Sequence, residues 1–167
     1  MTTLTGLFGK DSLGNTKFAQ SGDISYIPMI YGSMSGKNDA GFETIDLVDP
    51  DTYVASASMS TGLLSGMTFN AGTLVATYAG TYLITAVASG QAGTLGEYGM
   101  KIYIGDTGKD NLYGHAHITT TATMMVLTGI VALAASDIIS LRFDDHANPV
   151  RDLVLKSAGV TAIRIGD

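Results

Sequence analysis

Phe69 to Ser89, FNAGTLVATYAGTYLITAVAS, is the stretch whose reading decides the fold. A short strand runs into a Gly turn, and a longer strand follows with side chains alternating between two faces. From Tyr82 onward one face carries Tyr82, Ile84, Ala86 and Ala88, and the other carries Leu83, Thr85 and Val87. Neither face has a charge. A sheet face that meets water normally shows Lys, Glu or Arg at alternate positions, so this strand reads as covered on both sides.

The same feature extends outward in both directions. No charged residue occurs between Asp51 and Glu97, and between Asp110 and Asp137 only His115 and His117 can carry charge. In a small all-β domain the simplest cover for a second uncharged face is another copy of the chain.

Downstream, Met100–Ile104 alternates, with Lys101 and Tyr103 outward. Gly105–Asp110 reads as a turn, Asn111–Thr121 as strand, and Thr123–Leu133 as a long β-branched strand. After Ala134-Ala135-Ser136-Asp137, residues Ile139, Leu141 and Phe143 point inward. Val160–Ile165 closes the domain. A helical period fits Met124–Ala135 alone, where the Thr and Val content speaks against it. Short strands punctuated by Gly turns predict an all-β protein, an antiparallel jelly-roll sandwich. It should span residues 51–167.

Residues 1–50 differ: turn residues cluster, apolar side chains come in islands, and no period is sustained. They read as an irregular N-terminal arm that docks or anchors, with Phe8, Phe18, Tyr26, Ile27 and Tyr31 as its apolar contacts.

Composition excludes several classes. The chain has 167 residues, a net charge of −6 and scattered rather than clustered cations, so no nucleic-acid partner is expected. It has no Cys, which removes disulfides, thiolate metal sites and thiol nucleophiles. The first residues lack a signal-peptide pattern, and the longest apolar run, Met124–Ala135, is too short for a bilayer, so no membrane partner is expected.

Candidate chemistry is sparse. His115 and His117 share a strand face and are able to share a metal if His146, with Asp144 and Asp145, approaches across the fold. Asp106–Asp110 and Asp144–Asn148 offer oxygen ligands without the spacing of an EF-hand. Solvated turns and strand histidines are the plainer reading, and no metal or cofactor is expected. Gly32-Ser33-Met34-Ser35-Gly36 has neither the spacing nor the setting of a nucleophile elbow. No phosphate loop or facing carboxylate pair appears. The protein is expected not to be an enzyme.

Phe69, Ala79-Gly80-Thr81-Tyr82, the Met100–Ile104 strand, the Leu133–Asp137 turn and a last strand ending at Asp167 recur in the order of a known family. Over about Thr52–Asp167 the chain resembles the trimeric jelly roll of the complement globular head and tumour necrosis factor superfamily. That resemblance implies a homotrimer with one sheet facing the threefold axis, through Thr85, Val87, Val126 and Val160, while Tyr82, Ile84 and Ile139 fill the protomer core. The chain departs from the family twice: Ser136 stands where a turn Gly is usual, and Val160–Ile165 lacks the usual aromatic. With an arm in front and no Cys, it is similar to virion proteins of tailed phages. The function this implies is a non-enzymatic capsid decoration or head-fibre protein, docked by its arm on the major capsid protein or another virion protein. The alternative is a receptor-binding tip module that recognises a host surface glycan or protein through loops 90–99, 105–111 and 144–152, with Tyr98 as the one aromatic platform.

Overall fold

A computed structural model describes residues 8–10, 16–18, 29–49, 51–93, 95–146 and 151–166. Every regular element among them is a strand. The chain order is β1 (Phe8–Lys10), β2 (Thr16–Phe18), β3 (Tyr31–Lys37), β4 (Glu43–Ile45), β5 (Val54–Ala55), β6 (Ser60–Ser65) and β7 (Met67–Asn70). There follow β8 (Thr73–Ala76), β9 (Gly80–Ala92), β10 (Gly96–Ile104), β11 (Thr107–Ile118), β12 (Thr123–Leu133), β13 (Ile138–Asp145) and β14 (Leu153–Gly166).

Two antiparallel sheets form the sandwich. One runs β12-β9-β14-β3-β6, with β4 also on β14; the other runs β11-β10-β13-β8-β7, with β5 also on β13. Apart from the consecutive pairs β7–β8 and β10–β11, neighbours in each sheet are distant in sequence, as in a jelly roll. Between the sheets the core is filled by Tyr82, Ile84, Tyr98, Met100, Ile102, Ile139, Leu141 and Phe143, all fully buried. Each large side chain so buried contributes about 1.5–3 kcal/mol. Tyr82 satisfies its hydroxyl by donating to the Tyr78 carbonyl at 2.8 Å.

The stretch 69–89 folds as its alternation predicts. Phe69 and Leu74 face each other across the Ala71-Gly72 turn between β7 and β8, and β9 buries Tyr82, Ile84, Ala86 and Ala88 while exposing Leu83, Thr85 and Val87.

Several boundaries differ from expectation. The sandwich does not begin at residue 51, because β3 pairs with β14 from Tyr31↔Ile163 to Lys37↔Ser157 and β4 pairs with the start of β14. Tyr31 is thus a sheet residue. The stretch Tyr31–Lys37 hides its strand because Gly32 and Gly36 have poor β propensity. Their missing side chains leave room that neighbours fill: a Cβ at Gly36 would lie 2.6 Å from the Phe42 ring, and one at Gly32 would lie 2.9 Å from the Met67 sulfur. Phe8 and Phe18 are Cα partners in the β1–β2 pair, whereas Tyr26 and Ile27 lie outside the described residues. The expected loops 90–99 and 105–111 are mostly strand, since β9 runs to Ala92, β10 starts at Gly96 and β11 starts at Thr107.

Val160 is a correction with a clear cause. It is 1% exposed and packs inside the sandwich. In β14, Leu153 and Leu155 face the core; the register then slips between Leu155 and Ser157, and Ala158, Val160 and Ala162 take over the core side. One extra residue at a bulge exchanges the two faces of a strand. The position that the resemblance implies for Val160, facing a threefold axis, is therefore on the wrong side of β14.

Candidate functional site

The outer face of the β12-β9-β14-β3 sheet is built from residues that meet in register. Val126, Val87, Gly159 and Ser35 form one row across the strands; Thr128, Thr85, Thr161 and Ser33 form the next. Ile130, Leu83, Ile163 and Tyr31 form a third. No residue in these rows is charged. Val126 is 61% exposed, Ile130 54%, Val87 37% and Leu83 36%. Met124, one pair further along β12, is 67% exposed. The middle row is tied by the Thr85 and Thr128 hydroxyls, 3.2 Å apart. An uncharged patch of this kind, with exposed apolar side chains on both sides of a hydroxyl row, is a candidate interaction surface.

Of the residues expected at a threefold axis, Thr85, Val87 and Val126 stand on this face and Val160 does not. Leu83, which the alternation already put on one face with Thr85 and Val87, belongs here too; Ile130, Met124 and Ile163 also belong to the face, and the alternation in β12 carried the signal for Ile130 and Met124. Ile163 was hidden by the same bulge that misplaces Val160.

A second feature lies on the outer face of the other sheet. There His115, Gly99 and Asp144 form a row across β11, β10 and β13. Because Gly99 has no side chain, the Asp144 carboxylate lies over it: a Cβ there would come within 2.0 Å of Asp144 Oδ1. Asp144 is 0% exposed, and neither of its oxygens has a well-aligned hydrogen-bond partner. Its ionic neighbour is His146, whose Nε2 is 3.4 Å from Oδ2. Burial pushes the Asp144 carboxyl above the ordinary aspartate range, opposed by His146 and by the approach of the Tyr53 hydroxyl. The same burial, together with Asp144, raises the Tyr53 and Tyr113 hydroxyls.

His146 is the hub of this cluster. Its Nδ1 meets Asp51 Oδ1 at 2.5 Å, and its Nε2 lies 2.9 Å from the Tyr113 hydroxyl. That hydroxyl lies 3.5 Å from His115 Nδ1, whose other nitrogen, Nε2, is 3.3 Å from Glu97 Oε1. The structure thus links His115 to His146 through the Tyr113 hydroxyl, whereas the group whose ligand-type atoms lie within 4.8 Å of one another is Asp51, Asp144 and His146. His117, on the same strand face, is exposed and registers with Glu97 outside the cluster. Asp145 turns to the opposite side of β13, where Arg151 grips both its oxygens at 3.0 Å.

The other candidates are occupied or buried. Asp110 is paired with Lys101 at 2.6 Å, which holds its carboxyl below the usual range, and Asp106 is 3.3 Å from Arg142. Tyr98, the expected aromatic platform, is 0% exposed and part of the core. Ser33 lies within β3 and accepts a hydrogen bond from the Leu63 amide at 3.0 Å.

No family model and no curated protein matches the sequence. The likeness is to solved structures. The Eiger tumour necrosis factor of S. frugiperda superposes with a TM-score of 0.60 at 12% identity, over 84% of this chain and 94% of that one. The PRD1 vertex protein P5 superposes with a TM-score of 0.57 at 14% identity, over 82% and 97%. Murine APRIL gives 0.55 at 10% identity, over 81% and 99%. With two antiparallel sheets in this strand order, the protein has the tumour-necrosis-factor-like jelly-roll fold.

Proposed function

We propose that this protein is a non-enzymatic structural component of a phage particle that assembles as a homotrimer through the β12-β9-β14-β3 face. The observation that carries the reading is the charge-free register of Val126–Val87, Thr128–Thr85 and Ile130–Leu83 on a face the protomer leaves open. A free protomer would keep this apolar surface in water; threefold association removes it at no cost in buried charge. The likeness to the PRD1 vertex protein P5 supports a place in a virion, as capsid decoration or head fibre.

The docking role falls to the residues that precede β3, on the major capsid protein or another virion protein. Removing residues 1–50 would cut β3 and β4 out of the sandwich, so the informative deletion stops at residue 28. Sedimentation should give the full-length chain the mass of three protomers, and the 1–28 deletion should keep that mass while losing retention on purified particles. A one-chain mass at micromolar concentration overturns the trimer; full particle binding by the deletion overturns the docking role. Binding to host cells rather than to particles would replace decoration by the receptor-binding reading.

A further inference from the structure

The outer face of the β11-β10-β13 sheet lies away from the association face, and residues Asp51–Ala55 cross it as a short strap. Within the strap, β5 has two residues and pairs with β13 at Val54 and Ala55. Asp51 donates its amide to the Asp145 carbonyl at 3.1 Å and holds a φ of 58°, a left-handed backbone that Asp tolerates better than most residues. Side chains do the rest of the fastening. The Tyr53 ring lies 5.5 Å from that of Tyr103, its hydroxyl approaches Asp144, and Asp51 Oδ1 meets His146 Nδ1. Beneath the strap, Asp144 is fully buried.

How firmly this closes depends on where the protons sit. With His146 neutral, Nδ1–H donates to Asp51 and Nε2 accepts from the Tyr113 hydroxyl at 2.9 Å. Nε2 then also turns a lone pair toward Asp144 Oδ2 at 3.4 Å, and two carboxylates flank one uncharged ring. One further proton on Nε2 changes this: the ring donates at both nitrogens and pairs with Asp51 and Asp144 together. The Tyr113 O–H is then free to donate to His115 Nδ1 at 3.5 Å, while His115 Nε2 faces Glu97 at 3.3 Å. The other charges nearby are already engaged. Lys101, over the Tyr53 and Tyr113 rings, pairs with Asp110, and Asp145 faces Arg151 on the opposite side of β13.

We propose that this cluster is a proton-operated clasp: one proton shared by Asp144 and His146 closes the Asp51–Ala55 strap onto the sheet, and its loss as pH rises loosens the strap. The proton belongs to the pair rather than to either residue. Burial holds the Asp144 carboxyl above the ordinary aspartate range; His146, the Tyr53 hydroxyl and the Gly99 amide oppose that rise, and the Asp51 charge adds to it. A group raised in this way contributes stability that is complete below the unfolded aspartate value of about 4 and is lost as pH climbs through the folded value. The clasp therefore tightens toward acid. Asp51 is its outer handle: it belongs to the strap, and its charge strengthens the pair's hold on the proton.

Hydrogen exchange of the Asp51–Ala55 amides, measured on the full chain from about pH 4 to about pH 8 and corrected for the intrinsic exchange rate, reads the clasp directly. Protection should fall as pH rises, by no more than about tenfold per pH unit, the limit for one proton. Asp144→Asn carries no charge to neutralise, so its profile should flatten. Asp51→Asn removes an exposed charge beside the pair, and the fall should move to lower pH. His117→Ala lies on the same face outside the network and should keep the parent profile. An aspartate that merely packs would give a flat profile in the parent chain, and that result overturns the clasp. So does the parent slope surviving in Asp144→Asn, an unmoved midpoint in Asp51→Asn, or a slope lost in His117→Ala.

Discussion

A single carboxylate at Val126 should separate assembly from folding. Val126 is 61% exposed on the protomer and stands opposite Val87. Within the isolated protomer, Val126→Asp exchanges an outward strand residue, which costs up to about 1 kcal/mol through β propensity. On a threefold axis the same change acts three times. Lost burial of the valine is about 1 kcal/mol per protomer. If the proposed axis brings three carboxylates to about 8 Å from one another, at an effective dielectric of about 20 they repel by about 2 kcal/mol per pair, hence about 6 kcal/mol for three pairs. With about 3 kcal/mol of lost burial the trimer loses about 9 kcal/mol, or about six orders of magnitude in its association constant. Because that constant scales as the square of concentration, the midpoint of assembly should rise about a thousandfold. Light scattering coupled to size-exclusion chromatography measures the mass, and thermal unfolding measures the fold. A variant with a one-chain mass and a melting temperature a few degrees lower fits the reasoning. A variant that stays trimeric at the parent's concentrations refutes the face, and Val87→Asp, one strand over, should reproduce the effect.

Three further changes probe the protomer itself. Ser136 holds a φ of 74° in the turn before β13, so Ser136→Gly should relieve left-handed strain and stabilise the chain by about 0.5–1 kcal/mol in denaturant titration. Val160→Ala should cost about 1–3 kcal/mol of protomer stability as a core cavity, measured by the same titration, with the trimer mass retained; loss of assembly without loss of stability would contradict its core position. Tyr98→Phe removes a buried hydroxyl that has no hydrogen-bond partner and should leave stability unchanged or raise it by about 1 kcal/mol. Burial raises the Tyr98 hydroxyl, so the folded chain holds this proton more tightly than the unfolded one. That contribution is complete below about pH 10, the unfolded tyrosine value, and is lost as pH climbs through the folded value. The alkaline fall in melting temperature should therefore be shallower in Tyr98→Phe, while Tyr82, Tyr53 and Tyr113 keep part of it.

The sequence by itself determined the fold class and the uncharged face. Alternation in Tyr82–Ala88 separates core from surface because side chains on a strand alternate strictly, and the missing charges between Asp51 and Glu97 are visible without coordinates. What only the tertiary structure decided comes from three physical sources. A one-residue bulge after Leu155 reverses the faces of β14, so Val160 goes inward and Ile163 outward, and no local pattern announces it. Glycines at 32 and 36 disguise a strand, because the side chains that fill their space come from Met67 and Phe42. Asp51, His115 and the Asp144–His146 end of β13 come from three separate segments, and the Asp144 carboxylate lies across the neighbouring strand because Gly99 has no side chain there. Period and charge act along the chain and can be read there; register and close approach act between strands, and folding alone sets them.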